Sequence, residues 1–171
     1  MQTKAVNAEG KNTVYGYYGN GSKKSVSYPN GVTENYTYYV NNLLKELINR
    51  KADGSILDNY TYTYDAANNQ TSKHELVNGI DKGTTSFTYD GLNRLDTVSE
   101  PGKTTAYTYD KAGNRVTETV KNTKESVTTV YTYNEQNRLT KTVANKGGET
   151  ERIVYRYDAN GNMLSKEQSI T

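Results

Sequence analysis

Aromatic and polar residues alternate along much of the chain with the period of a β-strand. An aromatic residue, one intervening residue and a tyrosine recur seven times, ending at Tyr17, Tyr38, Tyr64, Tyr89, Tyr109, Tyr133 and Tyr157. Successive copies lie 20 to 26 residues apart. Because residues i and i+2 of a strand point to the same face, each copy places two rings on one side. The pattern predicts seven similar strands joined by connections of variable length.

The residues after each copy predict a tight turn. Five copies have Asp or Asn at the first turn position and Gly or Asn at the fourth: Asp65, Asp90, Asp110, Asn134 and Asp158, then Asn68, Asn93, Gly113, Asn137 and Gly161. An Asp or Asn side chain accepts hydrogen bonds from amides two or three residues on, and Gly and Asn adopt φ > 0 at least cost. Tyr18 and Tyr39 take the first position in the other two copies, so we expect those turns to be less well tethered.

A second alternating segment follows each turn, as in residues 115–120 (Arg-Val-Thr-Glu-Thr-Val). Thr, Val and Tyr at period two favour strands. Residues 41–49 (Asn-Asn-Leu-Leu-Lys-Glu-Leu-Ile-Asn) are the one run compatible with a helix, and we interpret them as a strand because they follow a turn. The sequence thus predicts a single all-β domain over residues 1–171, an antiparallel meander of about 14 strands in seven hairpin units.

Composition changes the expected core. Hydrophobic residues make up 33% of the chain, which contains 17 Tyr, one Phe and no Trp, and the mean hydropathy is −0.94. Aliphatic residues are too few for a conventional core, whereas a net charge of only +2 argues against disorder. No apolar run approaches the roughly 18 residues of a membrane span, and residues 1–10 lack the apolar stretch of a signal peptide. We therefore expect an ordered, tyrosine-built sheet without membrane insertion.

Residues capable of catalysis or metal binding form no recognisable site. There is no Cys, and His74 is the one histidine, so neither Ser-His-Asp nor Cys-His catalysis has a recognisable constellation. Residues 158–162 (Asp-Ala-Asn-Gly-Asn) have glycine at the fourth position, where an EF-hand calcium loop needs it at the sixth. The chain has no dense Lys/Arg cluster that would indicate a nucleic-acid partner. The sequence predicts no enzyme activity, cofactor, metal or nucleic-acid binding.

The repeated tyrosines have two interpretations. They form cross-strand rows that replace an aliphatic core, or an aromatic platform for a sugar or another ligand, and the residues concerned are Tyr62, Tyr64, Tyr89, Tyr107, Tyr109, Tyr131, Tyr133, Tyr155 and Tyr157. Buried hydroxyls need partners, which the Thr-rich and Asn-rich strands can supply. Arg94, Arg115 and Arg138 either line a basic stripe, or pair with acidic residues of a neighbouring strand or lie along a tyrosine face. Packing is favoured because Trp, the strongest sugar platform, is absent.

These motifs resemble the YD repeat, also called the RHS repeat, with its pattern Gly-x-x-x-x-Tyr-x-Tyr-Asp-x-x-Gly-Asn/Arg-Arg-Leu. Residues 102–116 (Gly-Lys-Thr-Thr-Ala-Tyr-Thr-Tyr-Asp-Lys-Ala-Gly-Asn-Arg-Val) are the best copy, and the resemblance extends from about residue 36 to residue 165. The departures are tyrosine at two Asp positions, Asn134 for Asp, and asparagine at three Gly positions. The resemblance implies an open or strongly curved sheet of the kind that spirals into hollow shells in bacterial polymorphic toxins, wall-associated proteins, insecticidal toxin complexes and teneurins.

The resemblance also implies a function. It predicts a structural scaffold, a wall segment of a β-shell or stalk in a larger secreted or cell-surface protein, and no enzyme. The alternative is a carbohydrate- or receptor-binding module that uses the repeated tyrosine and arginine face. Strands at the sheet edges have unpaired amides and carbonyls, so we expect them to associate with neighbouring repeats or with other copies of the chain.

Overall fold

The computed structural model describes residues 3–171, which form strands joined by turns. The fifteen strands are β1 (Lys4–Val6), β2 (Asn12–Tyr17), β3 (Lys23–Ser27), β4 (Thr33–Tyr38), β5 (Leu44–Arg50), β6 (Ile56–Tyr64), β7 (Gln70–Val77), β8 (Ile80–Tyr89), β9 (Leu95–Glu100), β10 (Lys103–Tyr109), β11 (Arg115–Asn122), β12 (Ser126–Tyr133), β13 (Leu139–Lys146), β14 (Glu149–Tyr157) and β15 (Met163–Ile170). Nowhere in residues 3–171 is there a helix with the length and apolarity to cross a membrane.

Strand order in the sheet is the same as strand order in the chain, from β1 to β15. Pairing is antiparallel, and the two outermost strands do not pair with each other in the described part of the chain, so the sheet is open. The predicted all-β meander is confirmed. The seven predicted hairpins are β2–β15, and β1 is an additional strand before them. Residues 44–50 form β5, which confirms the strand predicted after Tyr39, although residues 41–43 of the predicted run belong to the turn.

The chain divides into two compact units, Met1–Ser86 and Phe87–Thr171, and the boundary falls inside β8. The first unit contains β1–β7 and the second contains β9–β15. Each unit is built from the same hairpin, an aromatic strand, a tight turn and a second strand.

A register shift recurs at the end of the aromatic strands. In the β10–β11 pair, Thr108 lies opposite Thr117 but Tyr109 lies opposite Arg115, so Val116 is an extra residue on β11. The same shift precedes the last tyrosine of β2, β4, β6, β12 and β14. A bulge of this kind re-aims the side chains beside it. Here it brings the first residue of the second strand opposite the second tyrosine of the motif.

Few side chains are fully buried, because each side chain is covered mainly by those of the adjacent strands in the sheet. Within residues 3–171, Val26 is the one buried hydrophobic residue, at 2% exposure, and Thr105 and Thr142 are the buried polar ones. Tyr107 and Tyr109 are half-buried, whereas Thr108 between them is exposed. Packing therefore comes from rows of half-buried side chains rather than from a central aliphatic core.

Candidate functional surface at the hairpin tips

A five-residue turn closes each of the seven hairpins, and we call these turns the hairpin tips: residues 18–22, 39–43, 65–69, 90–94, 110–114, 134–138 and 158–162. In each tip the amide of position 1 donates to the carbonyl of position 5, and the amide of position 4 donates to the carbonyl of position 1, at 2.9–3.2 Å. Position 4 has a φ between 58° and 91° in all seven. This is a type I turn followed by a left-handed residue.

An aspartate at position 1 tethers its own tip. In the third tip, Asp65 Oδ1 accepts hydrogen bonds from the amides of Ala67 and Asn69, both at 2.9 Å. The partners are therefore two and four residues on, not two and three as expected, because the carbonyl of position 1 already accepts from the amide of position 4. The Asn69 side chain also donates to Asp65 Oδ2 at 3.0 Å. These hydrogen bonds, that of the side chain first, lower the pKa of Asp65.

Three further tips have the same arrangement. Hydrogen bonds from the Asn114 side chain and then its amide lower the pKa of Asp110, and those from Asn162 lower the pKa of Asp158 in the same way. At Asp90 the amide of Arg94 is the first cause of the lowered pKa. The predicted carboxylates thus belong to turns and are held by hydrogen bonds within them.

The first two tips are held differently, because tyrosine occupies position 1. The Tyr39 hydroxyl donates to the carbonyl of Tyr62 at 3.0 Å, and its ring meets the Tyr64 ring edge to face at 6.0 Å between centroids. Tyr18 makes the corresponding contacts with the carbonyl of Tyr36 at 2.9 Å and the ring of Tyr38 at 6.1 Å. These tips lack the carboxylate tether but are fastened to the following hairpin.

Asparagine side chains link one tip to the next. Asn114 Nδ2 donates to Asn137 Oδ1 at 2.8 Å. The other two links of this kind are Asn20 to Asn42 at 2.6 Å and Asn41 to Asn68 at 2.9 Å. In every case the acceptor is the position 4 residue of the following tip. Sequence reasoning missed these links, although the repeated choice of asparagine at position 4, where glycine is easier, was a signal.

Two arginines at position 5 link tips through the main chain instead. Arg94 Nη1 donates to the carbonyl of Asp110 at 3.3 Å, and Arg138 Nη1 donates to the carbonyl of Asp158 at 3.2 Å. Glycine occupies position 4 of both accepting tips. The arginines after the turns therefore lie between consecutive tips.

Arg94 and Arg115 also lie on tyrosine rings, as predicted from the sequence. The guanidinium carbon of Arg94 is 4.5 Å from the centroid of Tyr109, and that of Arg115 is 4.5 Å from that of Tyr131. Their acidic partners, however, do not lie on a neighbouring strand: Arg94 pairs with Asp90 of its own tip and Arg115 with Glu118 of its own strand, both at 2.7 Å. Each arginine side chain therefore needs to extend only across its own turn or along its own strand to meet an acidic partner.

Main-chain carbonyls accept the hydrogen bonds of three tyrosines in the second unit. Tyr109, Tyr133 and Tyr157 donate to the carbonyls of Leu95, Arg115 and Leu139 at 2.8–3.0 Å. The expected Thr and Asn partners do not serve these three, because the threonines between the tyrosines point to the other face. There they pair across strands: Thr63 with Ser72, Thr88 with Thr97, Thr108 with Thr117 and Thr119 with Thr128, at 2.6–2.9 Å.

Half-buried tyrosine rings ionise less readily than free ones. Burial is the first cause that raises the pKa of Tyr36, Tyr38, Tyr60, Tyr62, Tyr64, Tyr109 and Tyr131. Tyr36 also donates to the Glu34 carboxylate. The rings thus serve as neutral packing groups, and the hydroxyls of Tyr36 and Tyr109 also donate a hydrogen bond.

Clefts lie beside some tips. Tyr39, Val40, Leu43 and Tyr64 help to line one of about 480 Å³, and Val40 is fully exposed. Another, of about 400 Å³, is lined by Arg138, Tyr155 and Tyr157, among others. Three of the tyrosines that were predicted to form a ligand face line these two clefts: Tyr64, Tyr155 and Tyr157.

The histidine and the acidic side chains are the groups that could take part in metal binding or proton transfer. His74 Nε2 lies 3.1 Å from the Asp81 carboxylate, and both side chains are exposed. Among residues 3–171 no cluster of three or more His, Cys, Asp or Glu side chains could hold a metal ion.

The fold is similar to segments of much larger toxin complexes. A crystal structure of TcdB2-TccC3-Cdc42 matches with a TM-score of 0.63 and 17% identity, over 96% of this chain and 12% of that chain. A structure of TcdB2-TccC3 matches with a TM-score of 0.62 and 16% identity, over 96% and 12%. A Photorhabdus luminescens Tc holotoxin pore matches with a TM-score of 0.59 and 15% identity, over 95% and 12%. The fold is therefore an RHS-like antiparallel β-sheet.

Residues 80–169, just over half of the chain, match a protein-family model described as "uncharacterised protein", and the chain belongs to that family. No curated protein matches the sequence.

Proposed function

We propose that the chain is a structural scaffold, a wall segment of a β-shell or stalk in a larger secreted or cell-surface protein of the YD/RHS-repeat class, such as a polymorphic toxin. One observation carries the proposal. Within each unit, consecutive hairpin tips are joined by side-chain hydrogen bonds, so these polar side chains hold neighbouring hairpins together. A scaffold of this kind has no need of a catalytic group, cofactor or metal.

The likeness to toxin-complex structures supports the same proposal. This chain matches about an eighth of each neighbouring chain and nearly all of its own length, as a wall segment would. Secretion or surface display is part of the same proposal, and the resemblance to the YD/RHS repeat supports it.

Electron cryomicroscopy of the full-length gene product tests the scaffold. We expect the chain to lie within a continuous β-sheet wall, with both outer strands paired to further strands. A separate, freely tumbling module with both edges in solvent would overturn the proposal. Protease treatment of intact cells and of the culture medium tests the location, since an intracellular product would contradict secretion and display.

A second candidate function is glycan or receptor binding, which the exposed cleft beside Tyr39 favours. Val40 is fully exposed on its rim, and Tyr39 and Tyr64 supply aromatic surface within it. A glycan array at physiological salt tests this candidate with the wild-type chain and the Val40→Glu variant, which alters the cleft without removing a buried side chain. Binding that is lost in Val40→Glu supports it, and uniform absence of binding leaves the scaffold alone.

A further inference from the structure

The links between tips occur in two matched forms. Where the donor is a side-chain amide, the following tip has asparagine at position 4, and the Asn side-chain oxygen accepts. Where the donor is a guanidinium, the following tip has glycine at position 4, and the position 1 carbonyl accepts. Each of these five links follows this division, so donor and position 4 residue act as a pair.

At Asn114 the amide form uses both N–H groups of the side chain. One N–H of Asn114 Nδ2 donates to Asp110 Oδ2 at 3.0 Å and the other to Asn137 Oδ1 at 2.8 Å. A glycine at position 137 would remove this acceptor and leave the second N–H without its partner. Because glycine adopts φ > 0 more easily than asparagine, a tip that stood alone would favour glycine. The contact with Asn114 of the preceding tip is what favours asparagine at position 137.

The guanidinium form disfavours a side chain at position 4 of one accepting tip. A Cβ at Gly161 would lie 2.8 Å from Arg138 Nη2 and 2.9 Å from its guanidinium carbon. A side chain there would displace the arginine from the Asp158 carbonyl. Gly113 has open space around its Cβ position, and there the main-chain acceptor makes a side chain unnecessary.

The last tip has the amide form without a partner. Asn162 repeats the local bonds of Asn114: its amide donates to Asp158 Oδ1 at 2.8 Å and its Nδ2 to Asp158 Oδ2 at 2.9 Å. The second N–H of Nδ2 has no acceptor within residues 3–171. Beside it, the outer strand β15 exposes Met163, Leu164 and Ile170. This edge therefore offers an unused amide donor next to unpaired backbone and apolar side chains.

We propose that the outer edge of β15 is a docking site for a β-hairpin of the same repeat type that has asparagine, and not glycine, at position 4 of its tip. The argument is continuity, since the same edge-to-hairpin contact is already made between β11 and the hairpin β12–β13, where Asn114 meets Asn137. This inference deepens the scaffold proposal and rests on it for the partner being a further hairpin.

An extended chain tests the proposal. Residues 124–146, which contain β12, the tip 134–138 and β13, are appended directly after Thr171. Met163 lies opposite Tyr157 as Arg115 lies opposite Tyr109, so β15 takes the place of β11 before the added hairpin. Hydrogen exchange of the β15 amides, followed by mass spectrometry, reports docking. We expect the added hairpin to slow exchange across residues 163–170 relative to the original chain.

Matched variants test the pairing. Glycine in place of the appended copy of Asn137 should lower the β15 protection about fivefold, the value of one neutral hydrogen bond. Asn162→Ala should lower it at least as much, because it also removes the bond to Asp158 Oδ2, and adding the glycine to Asn162→Ala should cause no further loss. Asn162→Arg with the appended glycine should restore protection to within about twofold. Equal protection with asparagine and glycine would overturn the pairing while leaving the scaffold intact. Unchanged exchange in every extended chain would overturn the docking site, whereas the scaffold is decided separately by imaging of the full-length protein.

Discussion

The first two hairpin tips and the last four form the same backbone turn but are anchored in different ways. Tyr18 and Tyr39 at position 1 reach to the following hairpin through a hydroxyl and a ring edge. Asp90, Asp110, Asn134 and Asp158 at the same position accept hydrogen bonds from amides of their own tip. The turn therefore requires a left-handed residue at position 4, whereas position 1 decides whether the anchor is local or lateral.

The lateral hydroxyl bonds run in opposite directions in the two regions. Tyr39 donates to a carbonyl of the hairpin that follows it, at Tyr62, whereas Tyr133 donates to a carbonyl of the hairpin that precedes it, at Arg115. A hairpin in either region is thus joined to its neighbour by one tyrosine hydroxyl and one tip-to-tip bond. Two different residue sets reach the same degree of attachment.

Removal of the lateral anchor should have the largest effect. Tyr39→Ala loses the edge-to-face contact with Tyr64, the hydroxyl bond and part of the ring burial, and we expect it to cost about 3 kcal/mol. Tyr39→Phe loses the hydroxyl bond alone and should cost about 1 kcal/mol. Chemical denaturation measures both. If Tyr39→Ala were as stable as Tyr39→Phe, the ring would not be an anchor.

The two glycine tips of the second region offer a sharper comparison. Gly113 and Gly161 have nearly equal φ values, 90° and 91°, so alanine should introduce similar strain at each, about 1 to 2 kcal/mol. Only at Gly161 does the new Cβ meet Arg138. Gly161→Ala should therefore cost about 1 kcal/mol more than Gly113→Ala, the value of the displaced hydrogen bond.

Denaturant unfolding of these variants in an Arg138→Ala background is the control. Without the guanidinium there is nothing for the new Cβ to displace, and the two alanine variants should become equally unstable. A difference that persists in this background would mean that the strain at the two glycines is unequal and that Arg138 is not its cause.

The strands and the left-handed positions could be predicted from the sequence because both depend on local chemistry. Alternation of aromatic and polar residues defines a strand by itself, and Gly or Asn at position 4 of a turn such as 110–113 indicates φ > 0 without knowledge of any neighbour. Strand β1 escaped prediction because it has three residues and no aromatic motif.

The links between hairpins could not be predicted in the same way. Asn114 meets Asn137, 23 residues on, because consecutive hairpins lie side by side in the sheet. That alignment is a property of the whole sheet. The same holds for the tyrosine hydroxyls, whose acceptors are carbonyls and so leave no trace in the amino-acid sequence.

A smaller effect isolates the hydroxyl bonds of the second region. Tyr133→Phe removes the donor to the Arg115 carbonyl while it keeps the ring, and we expect a loss of about 1 kcal/mol. Tyr131→Phe is the matched control on the same strand, since the Tyr131 ring is half-buried but its hydroxyl makes no such bond in residues 3–171, and it should cost less than about 0.5 kcal/mol. Equal losses in the two variants, measured by thermal unfolding, would show that the carbonyl bond contributes nothing.

Acid should loosen the aspartate tips and leave the tyrosine tips unchanged, and this is the smallest effect because the carboxylates are exposed to water. The pKa values of Asp90, Asp110 and Asp158 are lowered by hydrogen bonds in the folded chain. Their contribution to stability is therefore present above the ordinary carboxyl pKa of 3.8 and is lost as the pH falls through the lower folded value. This loss of stability is therefore expected below about pH 4.

The chain contains its own control for this acid effect, because Asn134 makes the same bonds to its tip, with its Oδ1 accepting from the amide of Arg138 at 2.9 Å, and has no proton to gain. NMR amide shifts followed from pH 6 to pH 2.5 measure each tip separately. The amide of Asn114 should move with the titration of Asp110, while that of Arg138 stays in place. If both amides moved with one midpoint, global acid unfolding would be the cause, and the local carboxylate anchor would not be what distinguishes the two regions.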